Sequence, residues 1–219
     1  MIIWLASYPK SGNTWLRSFL STYFYMDINR DTFDFDILNK IEQFPRLNHF
    51  KNIGTIPKNF EEVTKLWIPM QNKINLNNNL VFLKTHNVFG SINNHQFTDK
   101  NNTLGAIYIV RDPRNVITSV KNHFSLDEEG AYKFITDINT NAKELYSKDY
   151  RTWVLLSNWS NHYRSWVKSK NFRKLLIKYE DFEDNKYRTF RDIIIFVNTL
   201  MNNTERVDEA KLEKEIEST

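Results

Sequence analysis

The sequence has no cysteine, and that excludes disulfides, a thiolate nucleophile and any cysteine-ligated zinc site, and suits a reducing compartment. It also lacks a long apolar run. The opening stretch Met1 to Ala6 is apolar but short, with no basic residues before it, so neither a secretory signal nor a membrane span is expected and the plain reading is a soluble cytoplasmic protein. There is no dense Lys/Arg block and no aromatic RNP-like motif, which removes the usual grounds for a nucleic-acid partner. No cluster of metal-ligating residues stands out, so no metal is expected. Internal repeats, linkers and low-complexity tails are missing as well.

What is present is an ordinary globular balance, 41% hydrophobic and 26% charged. At 219 residues the chain suits one domain with a real core, and the reading is a single domain over 1–219. Lysine and arginine number 30 against 26 acidic residues, and the resulting charge of +4 raises the local concentration of anionic partners such as nucleotides. The aromatic share, 15%, is high; core packing accounts for it first, and a pocket for a flat substrate second.

Four short apolar runs read as buried strands: Ile2 to Ala6, Leu80 to Lys84, Leu104 to Val110 and Leu175 to Lys178. Helices are expected over Thr14 to Phe24, from Pro113 to about Phe124, within Glu128 to Tyr146 and Trp153 to Lys168, and over Lys186 to Met201 and Arg206 to Glu217. The stretch Asp27 to Asn79, with Pro45, Pro57 and Pro69, reads as two or three short helices with long connections. Strands alternating with helices predict an α/β fold, a three-layer domain with a central, mainly parallel sheet flanked by helices. In such sheets ligands sit beyond the carboxyl ends of the strands, so the residues directly after each strand matter most.

After the first strand comes YPKSGNTW, Tyr8 to Trp15. A small polar loop feeding a helix is a phosphate cradle, because free backbone N–H groups and the helix dipole both favour an anion. Gly12 permits close backbone approach, Lys10 supplies a charge for a leaving oxygen, and Ser11, Asn13 and Thr14 are further donors. Trp15 either stacks on a base or packs into the core. A Walker A loop is excluded, since the lysine precedes its glycine. Read without a ligand, the same loop is a strand–turn–helix corner with Asn13 or Thr14 as N-cap. After the second strand comes Lys84-Thr85-His86, a histidine at a strand's carboxyl end and mostly neutral at pH 7, as a general base must be. His49, His95, His123 and His162 have no comparable setting and read as surface or satisfied core residues.

The octet YPKSGNTW resembles the 5′-phosphosulfate loop of sulfotransferases that use 3′-phosphoadenosine-5′-phosphosulfate (PAPS), and Lys84-Thr85-His86 is similar to the family's segment carrying its catalytic base. The resemblance implies a P-loop-like fold, PAPS as co-substrate with 3′,5′-bisphosphoadenosine (PAP) as by-product, and transfer of a sulfuryl group to a hydroxyl or amine. It casts His86 as the base, and Lys10 and Lys84 as stabilisers of developing charge. RDPRNVITS resembles the 3′-phosphate motif, which implies that Arg111 and, eight positions on, Ser119 hold that phosphate. Arginine's forked donors suit the task. Ser119 taken alone would bond its own helix's i−4 carbonyl. Asp112 and Pro113 are read as helix caps and Arg114 as surface. Tyr179, opening YEDF, is similar to a tyrosine lying near the adenine, while Glu180 and Asp181 suit a helix start. Ser157-Asn158-Trp159 is similar to one further, shorter family segment.

The resemblance runs from the start of the chain to roughly Met201. The family's closing RKGxxGxW-like pattern is not found before Thr219, so the expectation is a fragment, a naturally short form or one part of a split protein. The expected acceptor is a small molecule or glycan. Two other readings stand beside this one: a P-loop-related nucleotide kinase, which would want a lysine after the glycine and an acidic Mg²⁺ ligand, and a non-catalytic nucleotide-binding module.

Overall fold

The computed structural model describes residues 1–26, 35–77, 79–139 and 152–218. Its framework is a five-stranded sheet in the order β2-β3-β1-β6-β7, with every neighbouring pair parallel. The strands are β1 (Ile2–Ser7), β2 (Glu42–Gln43), β3 (Val81–Thr85), β6 (Thr103–Val110) and β7 (Arg173–Lys178). A two-stranded antiparallel hairpin, β4 (Ser91–Ile92) with β5 (His95–Gln96), stands apart.

β1 explains the sheet's position. All six of its residues are buried, and the five apolar ones alternate between two cores. Ile3 and Leu5 face one side, with Phe19, Phe190 and Leu212; Ile2, Trp4 and Ala6 face the other, with Trp67, Phe97 and Trp166. A strand covered on both faces needs apolar residues at every position, and IIWLA supplies them. The first face is closed by α1 (Asn13–Tyr25), α8 (Lys186–Leu200) and α9 (Glu209–Glu217). The second is closed by α3 (Phe60–Asn75) and α6 (Trp159–Lys168). A third cluster, Tyr8, Val116, Val120, Phe134 and Leu156, packs α4 (Pro113–Phe124) against α5 (Glu128–Thr136).

All four expected strands are present, each within two residues of its predicted limits. The differences are physical. β2 is two polar residues on an edge and has no apolar signature to read. Among the described residues of the stretch Asp27 to Asn79 there is one full-length helix, α3, besides the short α2 (Leu47–Asn52) and a 3-10 helix over Phe35–Lys40; residues 27–34 of that expectation lie outside the described residues. α3 continues through Pro69 because Val63, Trp67 and Met70 bury a common face, outweighing the hydrogen bond that proline cannot make. The helix expected from Trp153 starts at Trp159, since Ser157 is left-handed (φ 56°) and Asn158 caps the helix, accepting from the Asn161 amide at 2.7 Å. The residues just ahead of it brace the segment after β3 instead: Leu155 bonds both Asn87 and Val88. The helix from Glu128 ends at Thr136, and the part of that expectation beyond Asn139 lies outside the described residues. α9 begins at Glu209, capped by Asp208.

Among the described residues no helix is long and apolar enough to cross a membrane, and no group of three or more His, Asp or Glu side chains is placed to hold a metal ion.

Candidate active site

The carboxyl ends of the parallel strands lie along one edge, and β1 sits between β3 and β6 where the connections leave in opposite directions. That is where an open α/β sheet leaves a crevice. Of the residues the sequence assigns to catalysis or to PAPS binding, all except Ser11 line one open cleft there, of about 450 Å³. Ser11 lies beneath the loop, 1% exposed. The cleft is also lined by His123, which the sequence pattern placed among surface or core residues.

The loop after β1 turns sharply because Lys10 (φ 64°) and Gly12 (φ 94°) both adopt left-handed backbone. Gly12 is the N-cap of α1, its carbonyl accepting from the Trp15 amide at 3.0 Å and the Leu16 amide at 3.3 Å. The N-cap expected at Asn13 or Thr14 is therefore not there. Asn13 is turned inward instead, its Nδ2 donating to the Leu5 carbonyl at 3.0 Å and to Ser7 Oγ at 3.2 Å. The loop is thereby braced to the strand it leaves, while the amides of Asn13 and Thr14, ahead of the first intrahelical bond, have no intrahelical acceptor.

Glycine is required at position 12 twice over. Its φ is costly for any other residue, and a Cβ there would lie 2.7 Å from Tyr179 Cδ2 and 3.0 Å from Cε2. Tyr179 begins α7 (Tyr179–Asp184) at the end of β7, where Asp181 accepts from the Lys178 amide at 2.9 Å. Arg111, at the end of β6, ties this side together: its guanidinium lies 3.9 Å from the Tyr179 ring centroid, and its Nη1 donates to the Lys10 carbonyl at 3.1 Å. Asp112 and Pro113 cap α4 as expected, with Asp112 accepting from the Arg114 amide at 2.9 Å, and Arg114 is exposed. In the turn of α4 that holds Ser119, it is Thr118 that bonds the i−4 carbonyl.

On the β3 side, His86 is 6% exposed and its Nδ1 lies 2.7 Å from the Ser7 carbonyl. A carbonyl only accepts, so Nδ1 carries the proton and the ring lone pair belongs to Nε2. Burial, reinforced by Lys84, holds the imidazole well below its usual pKa, hence neutral. Lys84 is itself largely buried, and burial together with Arg17, Arg46 and Lys10 pushes its pKa down to about 8. Its Nζ donates to Gln43 Oε1 at 3.3 Å, a contact that only the unforeseen strand β2 makes possible.

Three buried donors beside the loop have no partner among the described residues: Ser11 Oγ, Trp15 Nε1 and Arg111 Nε. Buried polar groups left unmet cost about 1–3 kcal/mol each, and two of these three donors, those of Trp15 and Arg111, belong to residues that line the cleft. Trp15 also packs on Phe182 and Phe190, so its ring belongs partly to the core.

His123 is one helical turn beyond Ser119, and that four-residue spacing was the available signal. His49 and His162 are satisfied core residues as expected: His49 accepts from the Arg46 amide and contacts Glu42, and His162 bonds Tyr108 and the His86 carbonyl.

A three-layer α/β fold whose central strands end in a glycine-capped loop, a buried histidine and an arginine belongs to the anion-binding strand–loop–helix class. Within that class the chain belongs to the sulfotransferase domain family, whose pattern it matches over residues 2–216, past the Met201 limit read from motifs. Over 99% of its length it is similar to a retinol dehydratase solved with androsterone and the inactive cofactor PAP, at 18% identity and a TM-score of 0.57. It is similar likewise to mouse sulfotransferase SULT7A1 complexed with PAP, at 18% identity and a TM-score of 0.54. At such identities the likeness is one of fold. The chain spans 63% of the length of each of those two proteins. By sequence it matches no curated protein.

Proposed function

We propose that the chain is a PAPS-dependent sulfotransferase acting on a hydroxyl or amine of a small-molecule or glycan acceptor. The observation that carries this reading is the meeting of Lys10, Lys84, His86 and Arg111, from three adjacent strand ends, in one cleft. The PAP bound in the similar structures supports it, as does family membership.

The residues present fit PAPS. The orphaned Trp15 and Arg111 donors and the first-turn amides of α1 suit a highly anionic nucleotide, and Tyr179 offers a ring near the loop. When bound, PAPS supplies an activated sulfuryl group, whose sulfur bonds to the acceptor atom as its bond to the 5′-phosphate of PAP breaks. Arg111 and Ser119 hold the 3′-phosphate. Lys10 and the loop amides hold the 5′-phosphate, which leaves with the bonding electron pair. His86 takes the acceptor's proton at Nε2, and its neutral, Nδ1-protonated state is the one that can do so. Lys84 offsets charge on the transferring oxygens, in the manner of phosphoryl transfer.

The test is a PAP titration followed by tryptophan fluorescence, with AMP and with ATP plus Mg²⁺ as controls, then transfer of labelled sulfuryl from PAPS to an acceptor panel. Tight PAP binding lost in Lys10→Ala and Arg111→Ala, with transfer abolished in His86→Ala, is the expected result. Stronger binding of ATP than of PAP would point to a nucleotide kinase, and PAP binding without transfer to a binding module.

A further inference from the structure

α6 carries a feature that sulfuryl transfer by Lys10, Lys84, His86 and Arg111 leaves unused. His162 is fully buried on that helix, 0% exposed, beneath the segment after β3. Its Nε2 lies 3.0 Å from the His86 carbonyl and its Nδ1 lies 2.8 Å from the Tyr108 hydroxyl. The carbonyl fixes the tautomer: Nε2 bears the proton and donates, so Nδ1 accepts from Tyr108. One turn further along the same face, Trp166 Nε1 donates to the Asn87 carbonyl at 2.8 Å. Asn87 is held again from in front of α6, its Oδ1 accepting from the Leu155 amide at 3.0 Å.

Two consecutive carbonyls, those of His86 and Asn87, are thus gripped by two side chains of one helix. From the opposite side the His86 ring donates to the Ser7 carbonyl on β1. The backbone and the ring of the same residue are tied to different elements, and together these ties leave His86 a single orientation.

We propose that His162, steadied by Tyr108 and assisted by Trp166, is a positioning residue that sets the orientation and tautomer of His86. The inference rests on the reading of His86 as the proton acceptor. A histidine suits the task because it is neutral here. Burial pushes its pKa down to about 4, so it donates at Nε2 and accepts at Nδ1 throughout the working pH range without adding charge beneath the base. Among the groups that bear on His86 are Lys84 from β3, Arg17 from α1, the Ser7 backbone and His162 itself; Tyr8 and Tyr108 flank His162, and Tyr163 lies beside Tyr108. None of these is a carboxylate that would hold a proton on either ring.

The chain has five histidines, so ring ¹⁵N resonances can be assigned by single substitutions, and the orientation of His86 can be read without an acceptor. The full chain is compared with His162→Phe, which keeps the ring volume but neither hydrogen bond, and with His162→Gln, which keeps a donor and an acceptor. In the native chain His86 is expected to show only the Nδ1-protonated form across pH 5 to 8. In His162→Phe it is expected to become a tautomer mixture with its titration midpoint raised by about one pH unit, as water reaches the loosened segment. His162→Gln should restore the native signature. PAP affinity should stay within about twofold in both, since the loop and Arg111 are untouched.

If His162→Phe does not fold, Tyr108→Phe reads the same network by deleting only the hydroxyl that steadies His162. Unchanged His86 signals in the folded variants would overturn the proposal. Loss of PAP binding in the native chain would instead strike the sulfotransferase reading and leave the ring measurement standing.

Discussion

The ring of Tyr179 fills the space that a side chain at Gly12 would need, its Cδ2 atom 2.7 Å from where a Cβ would stand. The glycine of the first strand's loop is thus matched to an aromatic far along the chain, at the end of the last strand. Gly12→Ala is expected to meet both this contact and the left-handed φ of 94°, costing about 2 kcal/mol or more. That corresponds to a Tm lower by roughly 4–8 °C in a chain of this size. PAP affinity should fall more than tenfold as the loop shifts. Calorimetry and titration check both, and an alanine variant with native Tm would show that Tyr179 simply moves aside.

Arg111 acts through a fork, with one arm on the Lys10 carbonyl and the face over Tyr179. Arg111→Ala is expected to weaken PAP about a hundredfold, and Arg111→Lys still about tenfold, because an ammonium keeps the charge but not the planar stacking or the paired donors. AMP, which lacks the 3′-phosphate, should distinguish these variants from the native chain far less. Equal losses for AMP and PAP would move Arg111 away from the 3′-phosphate.

Lys84 predicts a pH dependence of binding. Its pKa is pushed down to about 8 by burial and neighbouring cations, so the free protein loses this charge as pH rises through 8. An anionic ligand stabilises the charged form. PAP affinity should therefore be level below pH 8 and weaken above it. In Lys84→Met that bend should flatten, measured by titration at half-unit steps from pH 6.5 to 9.5.

Acid should unfold the protein through its buried histidines. His162 is neutral in the fold with a pKa of about 4, against about 6.5 when unfolded, so its contribution is whole above pH 6.5 and is lost as pH falls from there towards 4. The full loss is about 3 kcal/mol for His162, and His86, shifted the same way, adds to it. Urea midpoints at pH 7.5 and pH 5 test this: His162→Gln should show the smaller difference, and an equal difference would place the acid sensitivity elsewhere.

The central strands were legible because burial on both faces leaves an unbroken apolar run, and the loop because anion chemistry forces lysine, glycine and hydroxyl residues into one octet. Glu42–Gln43 was not legible, since an edge pair needs no apolar residues; with it went the partner of Lys84. The hairpin at Asn93-Asn94 had a signal, two consecutive residues suited to left-handed backbone, and both adopt it. His162 was correctly read as a satisfied core histidine, but no single-chain pattern reveals that its acceptor is the carbonyl of His86.

The placement of β1 bears on how the chain is made. Its residues pair with partners such as Val81 on one side and Thr103 on the other, both of which are made well after it. Until both β3 and β6 have been synthesised, the run IIWLA has at least one edge unpaired. Long-range parallel pairing of this kind is slow and leaves apolar chain exposed during synthesis. The strand that anchors the site is therefore also the one that closes the longest loop in the sheet.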